Sequence, residues 1–145
     1  MIELGTDRAF TVIGDDEQQK PDDLTGAEPG TVVVINQRLY EDDGYFDRGQ
    51  EAGWAHGTAV VDHHGRAVCQ FTFVLLRQEG DQAQSDPSQE GEPPTLLTAQ
   101  GVVPLEDATL GNGRLVVTGG TGSLKGARGT IAVEVRNPKR WKFEP

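Results

Sequence analysis

The sequence lacks several features that mark common classes of protein. It contains one cysteine, Cys69, so no disulfide can form within the chain. It has 13 lysines and arginines against 23 aspartates and glutamates, a formal net charge of −10. Nucleic acid and anionic membranes repel a chain of this charge, and we expect neither as a partner. No run approaches the roughly 20 apolar residues of a membrane span, and the first residues show no basic or apolar signal region. We expect a soluble, cytoplasmic protein.

The clusters that hold metals or phosphates are also missing from the sequence. His63 and His64 follow Asp62 in a turn pattern, and adjacent residues of a strand or turn point in different directions. We interpret these histidines as solvent-exposed turn residues. Thr118–Gly122 is rich in glycine, but no helix follows it to bind an anion. We therefore expect no metal and no cofactor.

Helical periodicity is absent, and short strand patterns recur in its place. No long stretch repeats apolar residues at helical spacing, and the chain has 19 glycines. About eight strand patterns are present, the number at which a closed barrel encloses side chains or one small ligand. We predict an all-β chain with one domain over residues 1–145, a single eight-stranded antiparallel β-barrel with an internal pocket. The predicted strands are Ile2–Leu4 or Ala9–Ile13, Thr31–Tyr40, Gln50–Val61, Ala67–Leu76, Leu96–Pro104, Arg114–Thr118, Thr130–Arg136 and Arg140–Phe143.

One segment, Gln78–Pro94, has no aromatic and no β-branched residue. Such a segment buries too little apolar surface to offset the entropy of ordering it. We predict a mobile hairpin insertion over residues 78–94, either a disordered decoration or a lid.

Four segments, in order and with similar spacing, resemble the allene oxide cyclase and dirigent superfamily. Gly30–Tyr40 is similar to a family strand that ends in Leu-Tyr-Asp, although Glu41 replaces the aspartate here. Gly49–Gly53 matches a Gly-x-x-x-Gly that leads into a long strand, and Leu97–Gly101 matches a strand that ends in Gln-Gly. Thr118–Gly129 matches the glycine-rich passage between two late strands.

The resemblance implies a barrel whose lumen holds a reactive small molecule without a metal or redox cofactor. Members of the superfamily fold an unstable fatty-acid epoxide, orient phenoxy radicals or close rings in polyketide products. By this resemblance we expect a cofactor-independent cyclase or isomerase acting on a small hydrophobic, polyketide-like intermediate. It also implies a homo-oligomer, either a dimer or a trimer. The alternatives are a non-catalytic dirigent-like or carrier barrel and a structural interaction barrel with a filled lumen.

The sequence departs from the cyclases at three pocket positions. Their pocket cysteine falls at Ala55, their pocket asparagine falls at Gln37, and Glu3 alone remains of a Glu-x-Asn pattern in the first strand. Allene oxide cyclase activity itself is therefore not expected.

Strand alternation predicts which side chains line the lumen, because neighbours along a strand point to opposite faces. If Gln37 and Ala55 face the lumen, the residues at even spacing from them on their strands face it too, and most of these are apolar. Aromatic side chains would form one wall and close one end, whether as a pocket lining or as plain core packing. The predicted substrate-binding residues are Val33, Ile35, Gln37, Leu39, Ala55, Cys69, Phe71, Phe73, Trp141 and Phe143.

Three charged residues are candidates for catalysis. Glu51 lies four residues before Ala55, so strand alternation places it on the same, lumen-facing side of the strand. An apolar environment there would raise the pKa of Glu51 and permit proton transfer. The alternative is a rim position in water. Glu3 is a second candidate acid. Arg128 would stabilise a developing oxyanion or hold a carboxylate of the barrel wall.

Overall fold

The computed structural model describes residues 4–42, 48–76, 95–106, 109–135 and 139–145 of the chain. Glu3 and the predicted insertion at residues 78–94 lie outside these residues. The strands are β1 (Phe10–Lys20), β2 (Val32–Asp42), β3 (Arg48–Val61), β4 (Arg66–Leu75), β5 (Thr95–Glu106), β6 (Thr109–Leu110), β7 (Gly113–Gly120), β8 (Thr130–Glu134) and β9 (Lys139–Glu144).

The strands form a closed antiparallel barrel, which confirms the predicted fold class. The sheet order is β4-β3-β2-β1-β9-β8-β7-β5-β6, and β4 also pairs with β5 to close the ring. The two-residue strand β6 pairs with the end of β5, so the ring itself contains the other eight strands. Around the ring, each strand pairs with the strands that precede and follow it in the chain, with β6 skipped between β5 and β7. The exception is the pair β1 and β9, which joins the first and last strands.

Burial alternates along the strands because one face of each points into the lumen. In β4 the residues from Ala67 to Leu75 are buried at every second position, and β2 alternates in the same way from Val33 to Leu39. The inward side chains join into a single hydrophobic cluster. Glycine occurs where a large inward side chain needs room, since a Cβ at Gly57 would overlap the Phe71 ring and a Cβ at Gly14 would overlap the Gln37 amide.

The turn between β3 and β4 lies where the sequence predicts it, at Asp62–Gly65. One oxygen of Asp62, Oδ1, accepts hydrogen bonds from the backbone N–H groups of His64 and Arg66 at 2.8 and 2.9 Å. Hydrogen bonding, foremost from the Arg66 N–H, lowers the pKa of Asp62. Gly65 has φ +72°, a conformation that glycine adopts without strain.

The glycine-rich segment passes between β7 and β8, as predicted, and it covers one end of the barrel. It contains a short 3-10 turn, Gly122–Leu124, whose Leu124 side chain is fully buried. A Cβ at Gly120 would overlap the Leu124 carbonyl oxygen, so the close return of the chain requires glycine there. Among the described residues, no helix is long and apolar enough to cross a membrane.

Candidate functional site

All ten predicted substrate-binding side chains are buried, and they belong to the cluster that fills the barrel or contact it. Nine are members of the hydrophobic cluster, namely Val33, Ile35, Leu39, Ala55, Cys69, Phe71, Phe73, Trp141 and Phe143, and the tenth is the buried Gln37. Their inward orientation therefore agrees with the sequence prediction. Whether they bind a substrate is a separate matter that depends on the free space beside them.

The aromatic side chains of this set pack on one another and occupy the lumen. The Trp141 ring centroid lies 5.0 Å from that of Phe71 and 5.2 Å from that of Phe73. Trp141 Nε1 donates a hydrogen bond of 2.8 Å to Gln37 Oε1, so the one amide in this region is satisfied internally. Two voids next to the aromatic side chains have volumes of about 10 Å³ each, about the space of one water molecule. These two voids are therefore too small for a ligand larger than water.

Lys139 is an inward-facing residue that the sequence analysis missed. It lies two positions before Trp141 on β9, its Nζ lies 5.0 Å from the centre of the Trp141 ring, and its side chain is 11% exposed. The amine also lies 3.0 Å from Glu17 Oε1. The alternation that placed Trp141 and Phe143 inward would have identified this lysine. Because Glu17 and the aromatic ring both stabilise its charge, the side chain holds β1 against β9.

Cys69 lies beside the same void as Lys139 and is fully buried. Burial raises the pKa of the thiol to about 11, although the positive charge of Lys139 acts in the opposite direction. A thiol with this pKa is protonated at neutral pH, and the thiolate is the reactive form. Cys69 therefore serves as a small apolar residue of the core.

The predicted lumen position of Glu51 is wrong, because β3 contains a bulge. Leu39 pairs with Gly53 while the next residue, Tyr40, pairs with Glu51, which leaves Ala52 as an extra residue on β3. Gly53 has φ +142°, and both Ala52 and Gly53 are buried. The bulge shifts the alternation of inward and outward side chains by one residue, so the Glu51 side chain is exposed on the outside of the barrel. Its expected apolar environment is accordingly absent.

A second irregularity, in β1, opens the wall beside β2. Asp15 pairs with Arg38 but Gln18 pairs with Asn36, so two residues of β1 lie opposite one residue of β2. A groove of about 670 Å³ lies here on the outer wall, and we call it the wall groove. Its lining residues are Gln18, Asn36, Gln37, Arg38, Glu51, Trp54 and Ala55.

The wall groove combines a charged pair, an amide and an aromatic face. Arg38 Nη1 donates a hydrogen bond of 2.9 Å to Glu51 Oε1, and both side chains are exposed. Trp54 is 45% exposed and is the cross-strand partner of Arg38. Next to them, His56 Nδ1 and Asn36 Oδ1 form a hydrogen bond of 2.6 Å. An aromatic surface beside a guanidinium and a carboxylate suits a flat apolar molecule with a polar end.

Arg128, the remaining catalytic candidate among the described residues, lies apart from this site. It is exposed next to Gly129 at the end of the glycine-rich segment, and it does not line the wall groove. In the described part of the chain, no group of three or more histidine, cysteine, aspartate or glutamate residues is placed to hold a metal ion.

Comparison with known proteins identifies the fold but no family. No family model matches the chain, and no curated protein matches it. Among solved structures, the barrel is similar to a pyocyanin demethylase, with a TM-score of 0.61 over 94% of this chain and 98% of that chain. The two sequences are 17% identical, so the likeness establishes a shared barrel architecture.

Proposed function

We propose that this barrel binds a small hydrophobic molecule in the wall groove and acts on it as a cofactor-independent cyclase or isomerase. One observation carries the proposal. Gln37, Ala55 and Glu51, which were selected from the sequence as binding or catalytic residues, line one groove of about 670 Å³. That volume is within the range of small-molecule sites, roughly 300–1,000 Å³.

Each part of the groove has a chemical role in this proposal. The exposed face of Trp54 stacks on the apolar body of the ligand. Arg38 attracts a carboxylate or a developing oxyanion, and Glu51, held 2.9 Å from Arg38, accepts a proton from the bound molecule. Confinement of the ligand in one conformer supplies the remaining rate enhancement.

Two similarities support a small-molecule function. The sequence resembles the allene oxide cyclase and dirigent superfamily in four ordered segments, and the similar barrel is named for an enzyme that demethylates pyocyanin. A carrier that binds in the same groove without catalysis is the second candidate. The exposure of the Arg38–Glu51 pair favours it, because a pair in water stabilises a transition state less than a buried one.

The two tryptophans allow the site to be located directly. Trp54 lies in the wall groove and Trp141 lies in the lumen, so a spectrum of the indole N–H groups contains one signal from each region. Pyocyanin and linolenic acid are the probes. We expect titration with a bound probe to shift the Trp54 signal and leave the Trp141 signal in place, with Trp54→Phe and Trp141→Phe used for assignment. A shift confined to Trp141 would move the site into the lumen, and a shift of neither with both probes would remove this support for binding.

Catalysis is tested with a linear polyketide thioester that cyclises slowly in buffer, by following rate and product ratio. We expect Glu51→Gln to lower turnover about 10²- to 10⁴-fold if proton transfer dominates, and less if confinement dominates. Glu144→Gln is the matched control, because Glu144 is also a half-exposed carboxylate near an arginine, Arg114, at 3.7 Å. Binding without any change in rate or product ratio would reject the enzyme and leave the carrier.

A further inference from the structure

His56 lies at the edge of the wall groove and has no role in the function proposed above. It is exposed on the outer face of β3, two positions after Trp54. Its cross-strand partner on β2 is Asn36, which lines the groove. Successive outward residues of a strand lie about 6.6 Å apart along it, so the imidazole is within reach of a molecule that stacks on the Trp54 ring.

The hydrogen bond between His56 and Asn36 determines which imidazole nitrogen carries the hydrogen. His56 Nδ1 lies 2.6 Å from Asn36 Oδ1. An amide oxygen can only accept a hydrogen bond, so Nδ1 is the donor. The state of one ring nitrogen is set by the hydrogen bond of the other. Nε2 is therefore the atom at which this imidazole binds and releases a proton.

Two side chains that can transfer protons flank Trp54 along β3. Glu51 is held by Arg38, the cross-strand partner of Trp54, and His56 follows Trp54 on the same face. Arg38 and His56 are diagonal neighbours of the β2–β3 pair, and such residues lie roughly 7–8 Å apart. A reacting atom lies about 3–3.5 Å from the group that acts on it. One molecule on Trp54 can thus meet Glu51 and His56 at two different atoms.

We propose that His56 is the second proton-transfer residue of the wall groove and that the substrate is a flat β,γ-unsaturated ketone. This inference rests on the proposed function, to which it adds the group that returns a proton. An isomerase removes a proton from one carbon and delivers one to another, and two fixed groups do both without moving the substrate. A flat ketone suits the groove because its rings stack on Trp54 and its oxygen accepts a hydrogen bond from Arg38.

The proton and electron balance of this reaction needs no oxidant or reductant. Glu51 removes a proton from the carbon between the carbonyl group and the double bond, and the electron pair of that C–H bond forms a dienolate. Arg38 uses one N–H on Glu51 and has others for the oxyanion. The protonated imidazole then gives its Nε2 proton to the far carbon, which yields the conjugated ketone. Glu51 passes its proton to water, and His56 takes one from water.

The test follows conversion of the β,γ-unsaturated isomer of androstenedione to androstenedione by ultraviolet absorbance. We expect the full-length chain to accelerate it. His56→Gln should lower kcat about 10²- to 10⁴-fold and leave KM within about threefold. Imidazole added to His56→Ala should restore turnover in proportion to its concentration. His64→Gln is the matched control, because His64 is an exposed histidine of the β3–β4 turn, and it should leave the rate unchanged.

The role of Asn36 as a positioning residue is tested by the tautomer of His56. Nitrogen NMR of the wild-type imidazole should show hydrogen on Nδ1 in the neutral form. Asn36→Leu removes the acceptor, so the neutral ring should revert to the Nε2–H tautomer that an unconstrained histidine prefers, and kcat should fall at least about 10-fold. Asn36→Asp keeps an acceptor oxygen at the same position, and it should retain the Nδ1–H tautomer and most of the rate.

The outcomes separate this inference from the function on which it rests. Turnover that His56→Gln leaves unchanged, or a loss in His56→Ala that imidazole does not restore, overturns the role of His56 and leaves the groove as a site. A wild-type chain that cyclises the polyketide thioester but does not isomerise the ketone overturns the substrate class alone. A chain that acts on neither compound and shows no shift of the Trp54 signal overturns both proposals.

Discussion

The contact between Phe71 and Gly57 provides a quantitative test of how the lumen is packed. The Phe71 ring lies against the β3 backbone at Gly57, where a Cβ would overlap it. Phe71→Ala removes a buried ring that contacts Trp141 and Phe73, and such changes cost about 3–5 kcal/mol. Gly57→Ala alone forces the ring aside, an overpacking that costs about 1–3 kcal/mol.

The double variant should be more stable than the sum of these costs predicts. Once the ring is absent, the new methyl group at residue 57 enters the space that it left and meets no clash. Alanine in a strand is also favoured over glycine by about 0.5–1 kcal/mol. We therefore expect Gly57→Ala/Phe71→Ala to be about 1 kcal/mol more stable than Phe71→Ala, with a coupling energy of about 2–4 kcal/mol between the two sites.

Urea denaturation followed by tryptophan fluorescence measures all four free energies of unfolding. Thermal unfolding supplies a second measure, since 1 kcal/mol corresponds to roughly 2–4 °C for a chain of this size, and Phe71→Ala should lower Tm by roughly 10 °C. Additive costs in the double variant would refute the reasoning, because they would mean that residue 57 does not face the ring. A matched cycle with the outward-facing Thr58→Ala should show additivity within about 0.5 kcal/mol.

Three further predictions concern single side chains. Gln37→Leu leaves the buried Trp141 N–H without its acceptor and should lower the free energy of unfolding by about 1–3 kcal/mol in urea titrations, whereas unchanged stability would mean that the hydrogen bond is replaced. Burial raises the pKa of the Cys69 thiol from 9.0 in the unfolded chain to about 11 in the folded one, so unfolding releases a proton between these pH values. The free energy of unfolding should therefore fall as pH rises from 9 to 11, and Cys69→Ala should abolish that slope. Rapid reaction of the native thiol at pH 8 would contradict the assignment. The pKa of Asp62 is lowered in the folded chain, so its carboxylate stabilises the fold above pH 3.8, and this contribution is lost as pH falls through the folded pKa. The difference in Tm between wild type and Asp62→Asn should therefore shrink on acidification. A constant difference would mean that Asp62 does not contribute through its charge.

Much of the barrel could be predicted from the sequence because alternation and turn residues are local signals. The Asp62–Gly65 turn joins β3 and β4 as expected, and the parity of β2 and β4 placed Val33 and Phe71 inward. The bounds of the first strand were harder to predict: the sequence placed it at Ile2–Leu4 or Ala9–Ile13, whereas β1 runs from Phe10 to Lys20.

The site was harder to predict because it depends on two bulges. An extra residue at Ala52 reverses the direction of Glu51, and the similar irregularity between Asp15 and Gln18 positions the wall groove. Neither bulge changes the pattern of residue types enough to be recognised in one sequence, although a glycine within the strand, Gly53, is a weak sign of the first. The sequence also left open whether the inward side chains line a pocket or fill the lumen, because alternation tells which side chains point inward but not how closely they pack.

The pairing of β1 with β9 has a consequence for how the barrel forms. Phe10 pairs with Phe143, whereas the other ring strands pair with near neighbours along the chain. Meander hairpins of this kind gain contacts as soon as each turn closes, but the β1–β9 seam gains none until nearly the whole chain is arranged. We expect the pairing of β1 with β9 to form last and to be absent from the transition state for folding. Substitutions at Phe10 or Phe143 would then speed unfolding and leave the folding rate almost unchanged, so the lifetime of the native state is controlled at this seam.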